Sequence, residues 1–154
     1  MLFQHGSKNI RLKKYDYHSG WFFITNKSNY SSHIFKEDIY DLVRNELFDI
    51  SKKTKGVTLD YFHIMSNHIH VILGFNESDI SLSEFWRRYK AITTLKAKRN
   101  DFNGQTLWQK GFHEHIIRNE AALQRIRKYI QNNPLKEDLP LREIYQDIKY
   151  EIEN

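Results

Sequence analysis

Two histidines one residue apart, His68 and His70, are the side chains of this sequence whose type and spacing most directly suggest chemistry. They lie in the run YFHIMSNHIHVILGF, residues 61–75, whose apolar and β-branched stretches around a short polar turn are typical of a β-hairpin. Side chains two apart on a strand share a face, so both imidazoles would stand together while Ile69 and Val71 turn to the core. Two neighbouring imidazoles can chelate a metal ion.

A structural role fits the same pattern, with each imidazole hydrogen-bonded to a carbonyl or a water at the sheet surface. A second pair at the same spacing, His113 and His115 in the run HEH, competes for the same interpretation. The spacing of these histidines alone therefore leaves a metal site and a structural role open.

A second candidate pair lies near the end of the chain. Tyr129 and Asn133 are four residues apart on a predicted helix, hence on one face and one turn from each other. The buried stripe of that helix is predicted to be Leu123, Ile126 and Ile130. The pair lies on the flank of this stripe, where side chains can face a cleft between helix and sheet. Alternatively, Tyr129 is a half-buried aromatic and Asn133 a helix end before Pro134.

The elements that must position these side chains alternate along the chain in the order strand, helix, strand, strand, helix, strand, helix. In order they are GWFFIT, KEDIYDLVRNELFDISKKT, VTLDYFHI, HIHVILGF, LSEFWRRYKAITTLKAK, FHEHIIR and NEAALQRIRKYIQNN. This order predicts an α+β, ferredoxin-like (RRM-like) fold, with a four-stranded antiparallel sheet and helices on one face. The last residues, LREIYQDIKYEIEN, predict a helical C-terminal tail. Without repeats or linkers, residues 1–154 are expected to form one domain.

Composition limits the partners and the metal ligands. The chain has no cysteine, which excludes thiolate metal sites and disulfides. Its net charge is +5, but residues 137–154 form an acidic tail with six acids against two bases, which leaves the rest at +9. A basic body with 14% aromatic residues favours nucleic acid as the partner. We expect no membrane partner and a cytoplasmic protein, since no apolar run suits a signal peptide or a membrane span.

The candidate DNA contacts are basic residues of the N-terminal arm (residues 1–18), of the second predicted helix and of the loop beside Trp108. They are Arg11, Lys13, Lys14, Arg87, Arg88, Lys90 and Lys110. For any one of these cations a solvated surface charge is favoured over a phosphate contact, whereas several of the set are expected to contact phosphates.

Five segments together resemble the single-tyrosine HUH transposases, in particular the REP-associated tyrosine transposases. They are RLKKYDYHSGWFFIT, MSNHIHVIL, FWRRYKAITT, LWQKGFHEHIIRNE and RIRKYIQNNP, and they extend over about residues 11–136. By this resemblance, His68 and His70 match the metal ligands and Tyr129 matches the nucleophile. Asn133 matches the position that supplies a third, amide ligand. Many relatives have proline where Ser66 stands, and some have glutamine at the position of Asn133.

The resemblance implies a transposase and single-strand endonuclease that uses Mg²⁺ or Mn²⁺. It would cleave and rejoin DNA at hairpin or palindromic repeat ends through a covalent 5′-phosphotyrosine. Its partner would be single-stranded or hairpin DNA, and whether the chain acts as a monomer or a homodimer stays open.

Two other functions fit the sequence. One is a non-catalytic ferredoxin-like module that binds single-stranded nucleic acid on its aromatic and basic surface. The other keeps the HUH chemistry in a replication initiator or relaxase, although those enzymes are usually larger and carry the two motifs in a different order.

Overall fold

The computed structural model describes residues 16–30 and 34–132, which form seven regular elements in the predicted order. The strands and helices are β1 (Gly20–Lys27), α1 (Glu37–Lys53), β2 (Val57–Ile64), β3 (His68–Phe75), α2 (Leu82–Lys98), β4 (His113–Ile117) and α3 (Glu120–Asn132). The N-terminal arm up to residue 15, Asn133 and the acidic tail lie outside the described residues. The predicted element order is confirmed.

The four strands form one antiparallel sheet in the order β2-β3-β1-β4. Strands β2 and β3 make the expected hairpin, and the amide of Met65 donates to the carbonyl of His68 at its turn. This order, with helices between β1 and β2 and between β3 and β4, confirms the predicted ferredoxin-like α+β fold.

Helices α1 and α2 cover one face of the sheet, which holds the larger core. Alternate residues of the central strands, such as Ile24 and Val71, pack there against Leu47 of α1 and Trp86 of α2. The indole of Trp86 also donates a hydrogen bond of 2.8 Å to Asn26 on the same face. These contacts identify the face of the sheet that packs against α1 and α2. His68 and His70 point to the opposite face.

Helix α3 lies on the other face, which corrects one part of the predicted layout. Helices were expected on one face only, and this holds for α1 and α2. The opposite face carries apolar side chains of its own, Phe23 and Ile72, and α3 buries its stripe against them through Leu123, Ile126 and Ile130. Covered on both faces, β3 is buried along its whole length.

Two helices begin at residues whose side chains cap the first turn. Ser81 accepts a hydrogen bond from the amide of Glu84 at the start of α2, and Asn119 accepts one from the amide of Ala122 at the start of α3. Among the described residues, none of the helices is both long and apolar enough to cross a membrane.

Candidate active site

The side chains of His68 and His70 stand together between the sheet and α3. Their ring centroids are 5.0 Å apart, with the ring planes nearly perpendicular at 83°. Both histidines are fully buried. The structure therefore brings the predicted imidazole pair to one place on the face that carries α3.

Each imidazole is oriented through its Nδ1 atom. The side-chain oxygen of Asn67 accepts from Nδ1 of His68 at 2.9 Å, and Oγ1 of Thr25 lies 2.9 Å from Nδ1 of His70. A hydrogen bond at Nδ1 fixes the ring, and where Nδ1 is the donor, Nε2 carries the lone pair. Nε2 of His70 is solvent-inaccessible and has no hydrogen-bond partner among the described residues. This arrangement suits an imidazole that binds a metal ion through Nε2.

The electrostatics of the site favour neutral His70. Burial lowers the pKa of His70 well below its usual value, and the neighbouring His68 and His63 lower it further. An imidazole must be deprotonated at the ligating nitrogen to bind a metal. The surroundings of His70 thus keep it in the form that a metal requires.

Tyr129 of α3 lies beside this pair. Its ring centroid is 5.8 Å from that of His70, in an edge-on arrangement, and 6.3 Å from that of Phe23. The side chain is 6% exposed and its hydroxyl is solvent-inaccessible. The phenol and the two imidazoles therefore converge in a site that is closed to solvent.

An ion pair holds α3 to the edge of the sheet. Arg127, two residues before Tyr129, binds both carboxylate oxygens of Asp60, which lies at a β-bulge in β2. The Asp60 side chain is 12% exposed and that of Arg127 is 30% exposed. A bidentate pair in this setting is directional as well as attractive, so it adds a specific contact between α3 and β2 to the apolar packing.

Removing this ion pair should loosen α3. In Arg127→Met the Asp60 carboxylate loses both donors while staying largely buried, which typically costs about 1–3 kcal/mol. We expect the amides of α3 to exchange with solvent roughly 10-fold faster or more, measured by hydrogen exchange. Lys128→Met, which removes an exposed cation of the same helix, is the control. Equal exchange rates in both variants would show that the pair does not hold the helix.

Asn133, the predicted third ligand, lies one residue beyond the described part of α3. Within the described residues there is no group of three or more histidines and carboxylates that could hold a metal ion. If the two imidazoles hold an ion, a third ligand would be of another type or from another part of the chain, and an amide oxygen such as that of Asn133 is a suitable metal ligand. Its role stays a prediction.

The structure adds a third histidine that the sequence analysis did not assign. His63 of β2 pairs directly with His70, so both side chains share the α3 face. On the other side of β3, Thr25 of β1 pairs with both His70 and His113, so one row of residues crosses the sheet. In a hairpin, residues at equal distances from the turn pair with each other, so the pairing of His63 with His70 could have been predicted from the sequence.

The rival pair, His113 and His115, lies on the same face but on the outer strand β4. His115 is buried with its ring 6.4 Å from that of Phe23, which separates it from the His70 ring on the far side of Phe23. The structure thus places this pair beside the site and not at its centre.

The predicted DNA contacts are more scattered. Arg87 and Arg88 both bind Glu84 on the exposed side of α2, across the sheet from Tyr129. Their hydrogen bonds lower the pKa of Glu84 to about 2. The ammonium of Lys90 donates to the carbonyls of Gln109 and Gly111, at 2.7 and 2.8 Å. Lys110 is exposed, and Arg11, Lys13 and Lys14 lie outside the described residues.

Comparison with known proteins finds a matching family model and individual relatives. Residues 13–133 match the family model described as "Transposase IS200 like". A protein of Haemophilus influenzae without a described function is 32% identical over 164 aligned positions, covering 85% of this chain and 89% of the relative. The REP-associated tyrosine transposase of Escherichia coli is 26% identical, covering 83% of this chain and 78% of that protein.

A solved structure shares the fold. It is that of a REP-associated tyrosine transposase bound to a REP hairpin, with a TM-score of 0.69 and 23% identity, covering 82% of this chain and 73% of that one. The resemblance predicted from the sequence is confirmed by the family model and by the Escherichia coli relative. The chain belongs to the IS200-like transposase family and is a homologue of the REP-associated tyrosine transposases.

Proposed function

We propose that this chain cleaves and rejoins single-stranded DNA at hairpin or palindromic repeat ends, through a covalent 5′-phosphotyrosine on Tyr129. The observation that carries the proposal is the convergence of Tyr129 with His68 and His70 on one side of the sheet, with the rings of Tyr129 and His70 5.8 Å apart. A phenol beside two oriented imidazoles is a nucleophile next to candidate metal ligands, which suits phosphoryl transfer.

Tyr129 would act as the nucleophile. Its phenol oxygen attacks a backbone phosphorus, the bond from phosphorus to the 3′ oxygen breaks, and that oxygen leaves as a 3′-hydroxyl with the proton. The phosphodiester energy is kept in the phosphotyrosine, so a 3′-hydroxyl can reverse the step without a nucleotide cofactor. A phenol of pKa near 10 is ionised only about once in a thousand at pH 7, a deficit of roughly 4 kcal/mol that the site must offset.

His68, His70 and Asn133 would hold a divalent ion, Mg²⁺ or Mn²⁺. Such an ion, when bound, stabilises the charge that develops on the phosphate, an effect of several kcal/mol. The fit rests on the chain's own groups. Asn67 and Thr25 orient the two rings, and burial keeps His70 neutral. A mixed shell of imidazole and amide oxygen leaves room for water and phosphate oxygens.

The Asn133 ligand can be tested by metal binding alone. We expect Asn133→Ala to weaken Mn²⁺ binding about 10- to 100-fold, since an ion loses one of its few protein ligands. Calorimetric titration measures this without DNA. Asn132→Ala, at the exposed neighbouring position, should bind as the wild type does. Unchanged affinity in Asn133→Ala would remove this residue from the ligand set.

The substrate proposed is single-stranded DNA beside a hairpin. Its support is the REP hairpin bound to the related transposase of the same fold and the basic body of this chain. Arg87 and Arg88 lie across the sheet from Tyr129, so they would contact DNA remote from the cleaved bond. Lys90 and Lys110, and the arm residues Arg11, Lys13 and Lys14, complete the proposed contacts. A homodimer remains part of the proposal.

One assay tests the proposed function. The protein is incubated with Mn²⁺ and a hairpin oligonucleotide that carries a single-stranded flank and a different label at each end. We expect the label on the 3′ side of the cleaved bond to appear on the protein and the other label on a free fragment. Binding without any adduct, under either metal, would contradict the proposal and favour the non-catalytic binding module.

A further inference from the structure

The exposed ring of Trp21 is an aromatic surface that the proposed chemistry does not use. All three tryptophans lie in the described part of the chain, and the other two, Trp86 and Trp108, are 0% and 1% exposed, whereas Trp21 is 38% exposed. An indole left this accessible forgoes part of the favourable burial that a ring of this size offers. Such a surface suits a ligand that covers a flat ring.

Trp21 shares its face of the sheet with the candidate active site. Side chains alternate along β1, so Trp21 points to the same side as Phe23 and Thr25. Phe23 contacts the rings of His70 and Tyr129, and Thr25 contacts His70 directly. Four residues of strand separate Trp21 from Thr25, roughly 13 Å. A single DNA strand leading to the site spans that distance within a few nucleotides.

A glycine gives the indole its place on the sheet. Gly74 of β3 pairs directly with Trp21, and a Cβ atom at Gly74 would come within 2.8 Å of the six-membered ring. The ring therefore lies over the backbone of Gly74, and any side chain at that position would displace it. The lack of a side chain at Gly74 thus leaves room for the indole over this strand, where Trp21 stays 38% exposed.

Two cavities open on either side of the indole. One, of about 230 Å³, extends toward the start of α3 and is lined by Arg118, Glu120 and Leu123 among others. The other, of about 540 Å³, extends over β3 and has polar residues in its wall, including Thr58 and Asn76. Space beside the ring, with apolar and polar groups and the cation of Arg118 in the walls, matches a nucleotide, which has a flat base, polar edges and a charged phosphate.

We infer that Trp21 is a stacking platform for one unpaired base of the DNA strand that flanks the cleaved bond, with Arg118 beside the adjacent phosphate. The choice of DNA as the ligand rests on the proposed function. Glu120 lines the same cavity, and its carboxylate would repel a phosphate placed beside it. The phosphate is therefore expected on the side of Arg118, which would position the DNA backbone there. Base stacking on an aromatic side chain is tolerant of sequence, so this platform contributes affinity and position more than base identity.

Tryptophan fluorescence tests the inference directly, because the other two indoles are buried. The experiment uses the full chain as Tyr129→Phe, without metal, so that no cleavage occurs. We expect a short single-stranded oligothymidylate to quench the emission, and a duplex of the same length to quench it far less. Absence of quenching at saturating oligothymidylate would overturn the inference.

Affinity gives the second readout, measured with a labelled oligothymidylate by fluorescence anisotropy. Loss of one base stack predicts binding about 5- to 150-fold weaker in Trp21→Ala. Trp21→Tyr should recover much of the affinity because it keeps a flat ring. The control is Tyr40→Ala, which removes an exposed aromatic of α1. Wild-type affinity in a folded Trp21→Ala would overturn the inference.

The outcomes separate this inference from the proposed function. Binding that depends on Trp21, without adduct formation by the unsubstituted protein, would leave the platform in place and remove the strand-cleaving activity. Adduct formation with no contribution from Trp21 to binding would support the strand-cleaving activity and overturn the stacking platform. A change in emission on dilution without DNA would assign the ring to contact between two copies of this chain, and would overturn the inference.

Discussion

Tyr129→Phe is expected to abolish the covalent protein–DNA adduct and to reduce strand cleavage by at least roughly 10⁴-fold, since a reaction seldom survives the loss of its nucleophile. The substitution removes one oxygen atom and keeps the ring that packs against Phe23 and His70. Binding of the hairpin oligonucleotide and the melting temperature should therefore change little. Denaturing gel electrophoresis of the labelled reaction measures the adduct.

Tyr61→Phe is the matched control for this prediction. Tyr61 is half-buried on β2 and packs against the same apolar cluster as Tyr129, so it is a second phenol on the same side of the sheet. We expect Tyr61→Phe to form the adduct at the wild-type rate. An adduct that persists in Tyr129→Phe but disappears in Tyr61→Phe would show that the nucleophile lies on β2 and not on α3, which would contradict our account.

His70→Ala is the second substitution with a large expected effect. It removes an imidazole whose Nε2 is buried and whose Nδ1 contacts Thr25. We expect cleavage in Mn²⁺ to fall roughly 10³-fold or more, because a bound divalent ion stabilises the reacting phosphate by several kcal/mol. Mn²⁺ affinity, measured by calorimetry without DNA, should fall with it.

The control for His70→Ala is His113→Ala. His113 lies on the same face and pairs with Thr25 from the other side, but on the outer strand β4. We expect His113→Ala to keep Mn²⁺ affinity and cleavage near the wild-type values. Equal losses in the two variants would mean that the imidazoles act through the packing of this face and not as ligands.

The sequence predicted the fold because its signals are local. Alternation of histidine with Ile69 and Val71 assigns the two faces of β3, and the helical spacing of Leu123, Ile126 and Ile130 assigns the buried side of α3. The short turn between β2 and β3 fixes a hairpin, and the hairpin fixes which residues pair. Each of these patterns is set by neighbours in the chain, so it could be identified without coordinates.

Other features depend on contacts between distant segments and could not be predicted. The side of the sheet on which α3 packs depends on Phe23 and Ile72. The alternation of residues along a strand does not show whether these two side chains are covered by a helix or face solvent. The ion pair of Asp60 with Arg127 depends on a bulge that shifts the register of β2 by one residue. The exposure of Trp21 likewise depends on what packs beside Gly74, which sequence pattern does not reveal.

The basic residues show a further limit of sequence reasoning. Charge and composition favour a DNA partner, yet they do not say which cations are already engaged within the fold. Arg87 and Arg88 bind Glu84, and Lys90 binds two loop carbonyls. A cation that has a partner within the fold gains less from a phosphate contact, so the exposed Lys110 is the first to substitute in a binding survey.

The central claim is that one phenol, placed by α3 beside His68 and His70, attacks the DNA. Peptide mapping by mass spectrometry measures it most directly, on protein incubated with Mn²⁺ and the hairpin oligonucleotide and then digested. We expect the nucleotide mass on the peptide that contains Tyr129, and only when a divalent ion is present. A nucleotide on any other residue, or cleaved DNA that never carries protein, would contradict the account.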